Sequence, residues 1–403
     1  MIEKVALACF GADPKFQDVL SVGQGYWPEW ERYEKAARDI FSRRYYVSQR
    51  AVGPLVAQMQ RRLQEFLGVA HVVPVGSASI GLMIATHTLG LRGRVLVPYL
   101  ASCRAIDALA WSDCQPVFCD IDGETQQMSI ASVRNLLSEG GINGILGVHL
   151  WGGAAPVQAL QELAEEFHVP LYYDAAHAFG CRTVDGAIGG FGRAEVFSFD
   201  SSNVLSTGEG GCIVTNDDAL AGKFRAMRGD HVIDGGVAVQ SATARMSEIQ
   251  AAVGLMMLDD FENHRRNNQE QHRRYEKVLS SISGIKAFAP SSVTQSNFQN
   301  IIVVVDQDQF GLSRDELRAV LKMENVQAEP VLGPLRIKAD AALCGSFHEG
   351  LAPDAQSIAL RGLQLPIGAK ISIGQIDALC EIIEQAHVNA KRIKSAPAPF
   401  APN

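Results

Sequence analysis

No lysine occurs between Pro170 and Lys223, in a stretch otherwise rich in groups of chemical interest. Other absences bound the chain more broadly. No apolar run approaches the ~20 residues of a membrane-spanning helix. The short run Val5–Phe10, preceded by Glu3 and Lys4, does not make a signal peptide. The eight cysteines form no CxxC pair, which argues against a zinc site and a disulfide framework and for buried thiols in a reducing compartment. Acidic and basic residues are interspersed and the net charge is −8, so no nucleic-acid footprint is present. No internal repeat is found. These absences lead us to expect a cytoplasmic protein that handles a small-molecule substrate, with no metal and with neither nucleic acid nor membrane as partner.

What is present is a long chain, 403 residues with 47% hydrophobic content, which suits a large domain and a smaller one. From about residue 50, helical and strand-like patterns alternate. The spacing of Leu55, Met59, Leu63 and Phe66 predicts an amphipathic helix over 54–67. Apolar strand-like runs follow at 72–75, 94–98, 116–119, 145–149, 170–173, 196–199 and 212–215, with helical segments between several of them. Apolar runs without clean alternation, separated by helices, predict an α/β fold: a three-layer α/β/α domain with a mostly parallel sheet. A long helix over 246–279 leads out of it, and its polar stretch His264–Arg274 reads as a solvated face. The strand-like run 300–305 and helices over 313–323 and 373–386 predict a small α+β domain. The expected boundaries are an N-terminal segment 1–45 packing on the small domain or on a partner, a large domain 46–260, a small domain 261–394 and a disordered tail 395–403.

Ligands of such sheets gather at the carboxyl ends of the strands, and two segments there carry chemistry. Gly76-Ser-Ala-Ser79 follows a strand and opens a helix, a setting that suits a phosphate and equally an ordinary turn with an N-cap. Asp174 ends an apolar strand, where a lone carboxylate needs a reason. It can keep the ring nitrogen of a bound cofactor protonated, with His177 on the same ligand. It can also cap a following helix in which His177 packs. His149, Trp151 and Arg336 fall near the expected pocket, where each fits a ligand contact or plain packing.

In order and spacing, these segments resemble the DegT/DnrJ/EryC1/StrS aminotransferases over residues 40–390. Gly76-Ser-Ala-Ser79 is similar to the family's phosphate turn, and Asp174-Ala-Ala-His177 to its pyridine-binding segment. Ser198 is similar to a phosphate-contacting serine. Thr207-Gly-Glu-Gly-Gly211 resembles the stretch beyond the catalytic lysine, and Arg245-Met-Ser-Glu-Ile-Gln-Ala-Ala252 the entry to the interdomain helix. The resemblance implies a fold-type-I scaffold for pyridoxal phosphate (PLP), a homodimer with each active site at the subunit interface, and in many members a nucleotide-linked keto-sugar as substrate.

The departures are as informative. Asn203 stands where the family has the lysine that forms a Schiff base with PLP, and an amide nitrogen cannot do so. Asp200 puts a carboxylate near the phosphate site, a cost unless compensated. Ser102 replaces the aromatic that stacks on the pyridine, leaving Tyr99 as the nearest ring, and Thr243 replaces an asparagine. Three readings stay open. PLP or its amine form (PMP) is bound non-covalently, with His177 as base and dehydratase-like chemistry. Or no cofactor is bound, and Asp174, His177, Asp200 and Glu209 do acid–base work of a condensation or hydrolysis type. Or the chain is a non-catalytic binding or regulatory subunit. The expected catalytic positions are His177, Asp174 and Asn203. The expected cofactor contacts are Gly76, Ser77, Asp174, His177 and Ser198. The expected substrate contacts are His149, Trp151, Tyr99, Asp200 and Glu209.

Overall fold

The computed structural model describes residues 7–23, 25–44, 52–230, 241–331 and 352–395. Arg336 and residues 396–403 of the expected tail lie outside the described residues. A two-residue strand β1 (Leu20–Ser21) comes first. Then come β2 (His71–Val75), β3 (Gly93–Pro98), β4 (Cys114–Cys119), β5 (Ile142–Val148), β6 (Leu171–Asp174), β7 (Glu195–Ser198) and β8 (Gly211–Thr215). These seven form one sheet in the order β2-β8-β7-β6-β5-β3-β4. All neighbours pair parallel except β8, which runs antiparallel to both β2 and β7. The mostly parallel α/β architecture expected from the sequence is therefore present, with one reversed strand.

Side chains alternate across the strands, so consecutive residues feed opposite faces. Val73, Val95, Val97 and Tyr172 pack with the helices Ala78–Thr88, Cys103–Trp111 and Asp218–Arg228. On the other face, Val72, Phe197 and Val214 meet the helices Pro54–Leu67 and Glu248–Leu279. There too, Leu96, Ile145 and Tyr173 meet Ile130–Ser138 and Val157–Glu166. Both faces are covered, which is why the strands read as apolar runs without alternation.

The strands β9 (Ile285–Ala287), β10 (Ile301–Val305), β11 (Val326–Gln327), β12 (Glu329–Pro330) and β13 (Gly362–Leu365) follow. Four of them make a second, antiparallel sheet in the order β12-β13-β10-β9, with a separate core that includes Tyr275, Leu317, Val320, Leu379 and Ile383. The helix Glu248–Leu279 serves both cores: Ala251 to Phe261 pack on the large sheet, Tyr275 and Leu279 on the small one. Its polar middle is not a uniformly solvated face, which corrects the sequence reading. Asn268, Gln271 and His272 are buried. Gln271 donates to the carbonyls of Gly368 and Ile371 and accepts from Gly368 N, while His272 Nε2 contacts the Phe288 carbonyl. A buried polar residue with tertiary partners looks the same in sequence as an exposed one.

Buried carboxylates tie remote segments together by accepting backbone N–H groups. Glu248 Oε2 and Oε1 accept from Leu55 N and Val56 N at the start of the helix Pro54–Leu67, at 3.1 and 3.0 Å. Asp120 accepts from Asp354 N and Ala355 N at the start of the helix Pro353–Arg361. Glu324 accepts from Ala8 N at 2.6 Å and Lys15 N at 2.8 Å, and β1 pairs parallel with β11, so residues 7–21 dock on the small sheet's side of the molecule. Exchanging Glu324→Gln removes one of these two acceptors at a cost of ~1.5 kcal/mol. We expect about tenfold faster tryptic cleavage after Lys15 in this variant; an unchanged rate would show that the carboxylate does not hold the segment.

Candidate active site

The strand register brings the sequence-predicted groups to one edge of the large sheet. Ser198 and Val75 both pair with Gly211, the first residue of β8. Asp174 pairs with Val196, two residues before Ser198. The carboxyl ends of β2, β6 and β7 therefore present Gly76–Ser77, Asp174 and Ser198 side by side. Gly211 makes the arrangement possible: a Cβ there would lie 2.5 Å from the Phe197 carbonyl oxygen and 3.0 Å from Ala78 N, at the start of the helix Ala78–Thr88. Ser77 caps that helix, its Oγ accepting from Ile80 N at 3.4 Å, and Gly76 N donates to the Ala244 carbonyl at 2.8 Å. The first amides of a helix have no partner within it and favour an anion. Ser198 Oγ accepts from Asp200 N at 3.3 Å and keeps its own proton to donate.

Asp174 is set apart from the other buried carboxylates. Its Oδ1 accepts from Ala176 N at 3.0 Å, and its Oδ2 has only a 3.4 Å contact from Ser102 Oγ. Turns rather than a helix follow it, so it is not a helix cap. Burial pushes its pKa up, opposed by the Ala176 amide, His177, the Ser102 hydroxyl and His149. His177 is half-buried, and its ring nitrogens carry no hydrogen bond among the described residues. Burial pushes its pKa below the ordinary imidazole value, with Asp174 pulling up and Arg104 pushing down.

Asp200 has the compensation its position requires. Arg104 Nη2 lies 3.0 Å from Oδ2, and Ser202 donates to Oδ1 through both N and Oγ. Burial alone would raise its pKa, but the Ser202 hydrogen bonds and the Arg104 guanidinium outweigh it and hold the carboxyl below the usual range. Arg104 is a site residue that sequence reasoning missed. It lies 96 residues from Asp200, and nothing local marks it.

Asn203 is buried in the loop between β7 and β8. Its Nδ2 donates to the Ser198 carbonyl at 2.7 Å, and its Oδ1 accepts from Gln299 Nε2 at 2.8 Å. Both ends of the amide are satisfied, so the side chain is a built part of the structure.

Three expected substrate contacts are placed elsewhere. His149 is wholly buried: its Nδ1 accepts from Ala155 N at 3.0 Å, so the neutral ring carries its proton on Nε2, 3.3 Å from Glu195, and it stacks on Tyr173 at 4.7 Å. Trp151 is buried, with its ring edge-on to Phe288. Tyr99 is fully buried in the core and meets Phe118 edge-on, so it offers no face to a ligand ring. Glu209 is exposed on the loop before β8, and Thr243 is exposed as well. Each of the three inward residues sits in or next to a strand end, where the pleat sends side chains either to the core or to the cleft. Sequence spacing alone does not say which.

The group that this arrangement fits is a phosphorylated pyridine. The buried Asp174 carboxylate with one poorly satisfied oxygen suits a protonated ring nitrogen, and Ser77, Ser198 and the helix start suit a phosphate.

A mostly parallel sheet covered on both faces, with these groups at its strand ends, defines the fold of PLP-dependent aminotransferases. The chain belongs to the DegT/DnrJ/EryC1/StrS aminotransferase family, whose model matches residues 41–384. It is 30% identical over 335 residues to a dTDP-4-amino-4,6-dideoxy-D-glucose transaminase of Shigella dysenteriae, covering 83% of this chain and 90% of the relative. It is 25% identical over 342 residues to a GDP-perosamine synthase of Vibrio cholerae, covering 82% and 90%. Among solved structures, DesI, crystallised in the presence of its TDP-sugar product, matches with a TM-score of 0.89 and 30% identity over 96% of this chain and 98% of that one.

Two outcomes test the electrostatics and the lock. Asp174→Asn removes the charge that raises His177, so the His177 imidazole should titrate at still lower pH; a rise, read by NMR of labelled histidine, would contradict the pairing. Asn203→Lys leaves Gln299 Nε2 and the Ser198 carbonyl without their partner. It should cost on the order of 2 kcal/mol in chemical denaturation and produce no transaminase turnover. Parental stability together with transaminase activity would contradict this account.

Proposed function

We propose that this protein is a cytoplasmic biosynthetic enzyme that acts on a nucleotide-linked keto-sugar and uses PMP held without a covalent bond, rather than an ordinary transaminase. The observation that carries this reading is the state of Asn203, which stands where the family resemblance leads one to expect the lysine: its amide donor and acceptor are both used. Supporting it, the groups that suit the phosphate and the ring nitrogen are retained, and the relatives act on nucleotide-linked sugars by name.

When bound, the pyridine ring supplies an electron sink. Ser198 and the helix start after Ser77 hold the phosphate end. Asp174 would hydrogen-bond the ring nitrogen and share its proton. His177 is neutral near pH 7 because burial depresses its pKa, so an imidazole nitrogen takes and returns the substrate's proton. Arg104 neutralises Asp200 and so removes its repulsion of the phosphate. Glu209, exposed on the adjoining loop, is free to meet a substrate. The working unit in this proposal is a homodimer with the site at the subunit interface.

One observation favours a second reading, an enzyme without the cofactor: Tyr99 is locked in the core, and Ser102 stands where a stacking ring would be. Titration decides between them. We expect PMP to bind saturably, read in the near ultraviolet, and to support a single turnover of a nucleotide-linked 4-keto-sugar in which the bound amine form is consumed. No binding of either PMP or PLP would remove the first reading.

A further inference from the structure

The side chain of Asn203 does not end its influence at Gln299. Gln299 grips two consecutive residues of the loop: its Nε2 donates to Asn203 Oδ1 at 2.8 Å, and its Oε1 accepts from Val204 N at 3.3 Å. Its own backbone N donates to Asn297 Oδ1 at 3.0 Å. Asn297 Nδ2 then donates to the carbonyls of His177 and Phe179, both at 3.1 Å, and Gly152 N adds a second donor to the His177 carbonyl at 3.1 Å. Asn203, Asn297 and Gln299 are all buried. The chain of bonds runs without a break from the Ser198 carbonyl through Asn203, Gln299 and Asn297 to the backbone of His177. It joins three segments that the sequence separates widely, and every link is an uncharged amide.

We propose that Gln299 and Asn297 are positioning residues that, with Asn203, hold His177 and the β7–β8 loop in one fixed relation, so that an amide relay performs the alignment at this site. The inference rests on the reading of His177 as the proton-handling group. The geometry gives the relay two properties that plain packing lacks. It is directional, because each amide is fixed in orientation by what it donates to and accepts from. It is also all-or-none, because a buried amide that loses one partner strands the other. Its three side chains make no hydrogen bond to the Ser77 or Ser198 hydroxyls or to the Asp174 carboxylate, and they act on His177 through its backbone. The charged groups that act on the His177 ring, Asp174 and Arg104, belong to other elements and make no hydrogen bond to the relay's side chains.

The test is an exchange of side-chain length. Asn203→Gln and Gln299→Asn each mismatch the clamp, whereas the pair Asn203→Gln/Gln299→Asn restores the number of atoms between the two backbones. Gln299→Glu cuts the same link while keeping shape and the acceptor for Val204 N, with the added cost of a buried carboxylate against Asn203 Oδ1. The His177 imidazole, assigned by its disappearance in His177→Gln, is titrated by NMR in the full-length protein without added cofactor, and PMP binding is measured on the same samples. We expect each single variant, including Gln299→Glu, to raise the His177 midpoint toward the ordinary imidazole range as water gains access, and the exchanged pair to return it toward the parent. Single variants that leave the midpoint unmoved, or a pair that fails to restore it, would overturn the proposal. The PMP measurement separates the two claims. If PMP binds no variant and not the parent, the functional reading falls while the relay stands or falls on the titration alone.

Discussion

A single buried amide organises this site. Asn203 gives one hydrogen bond to the end of β7 and takes one from Gln299, and each of these neighbours is committed to further bonds. A buried donor or acceptor that loses its partner forfeits ~1–3 kcal/mol, a large share of what holds a folded domain together. The loop from Asp200 to Gly210 therefore has little freedom to admit a different side chain at its centre. A primary amine on a four-carbon stem would bring no acceptor for Gln299, and its charge would need desolvation within a neutral amide cluster. The surroundings of Asn203 are thus built around an amide.

The way the protein uses its buried carboxylates separates structure from chemistry. Glu248, Glu324 and Asp120 spend their oxygens on backbone N–H groups, and Glu195 divides its two between backbone N–H groups and His149; in doing so they fasten helix starts, the N-terminal segment and the turn before β7. Those acids explain themselves. Asp174 has one good backbone partner, a long contact from a hydroxyl, a raised pKa and a histidine nearby whose pKa is lowered. A buried acid and a histidine with opposed shifts, at the carboxyl edge of a parallel sheet, mark a site of chemistry rather than of structure. Asp200 is the converse case: it is charged, but Arg104 and Ser202 absorb the charge, so the edge remains able to hold an anion.

The sequence made the large sheet legible because strands buried on both faces read as apolar runs, and helices between them show their own period. It also located Gly76–Ser77, Asp174, His177 and Ser198, since each follows an apolar run and strand ends are where side chains meet a cleft. It did not reveal which residues near those ends turn inward. His149, Trp151 and Tyr99 are each within a residue or three of a strand end, yet all three point into the core, a difference of one step in the pleat. Nor did it reveal the partners. Arg104 for Asp200 and Gln299 for Asn203 come from parts of the chain about a hundred residues away, joined only by folding. The polar middle of the long helix hid buried Asn268, Gln271 and His272 for the same reason: their carbonyl partners lie in the small unit.

The central claim is that nothing in this polypeptide anchors an aldehyde cofactor covalently, while the cradle around it remains built. It is tested most directly by incubating the purified protein with excess PLP, reducing with borohydride and mapping peptides by mass spectrometry. The account predicts no stoichiometric pyridoxyl adduct at any lysine of the folded protein, and none in the peptide that carries Asn203. A stoichiometric adduct at one specific side chain would contradict it.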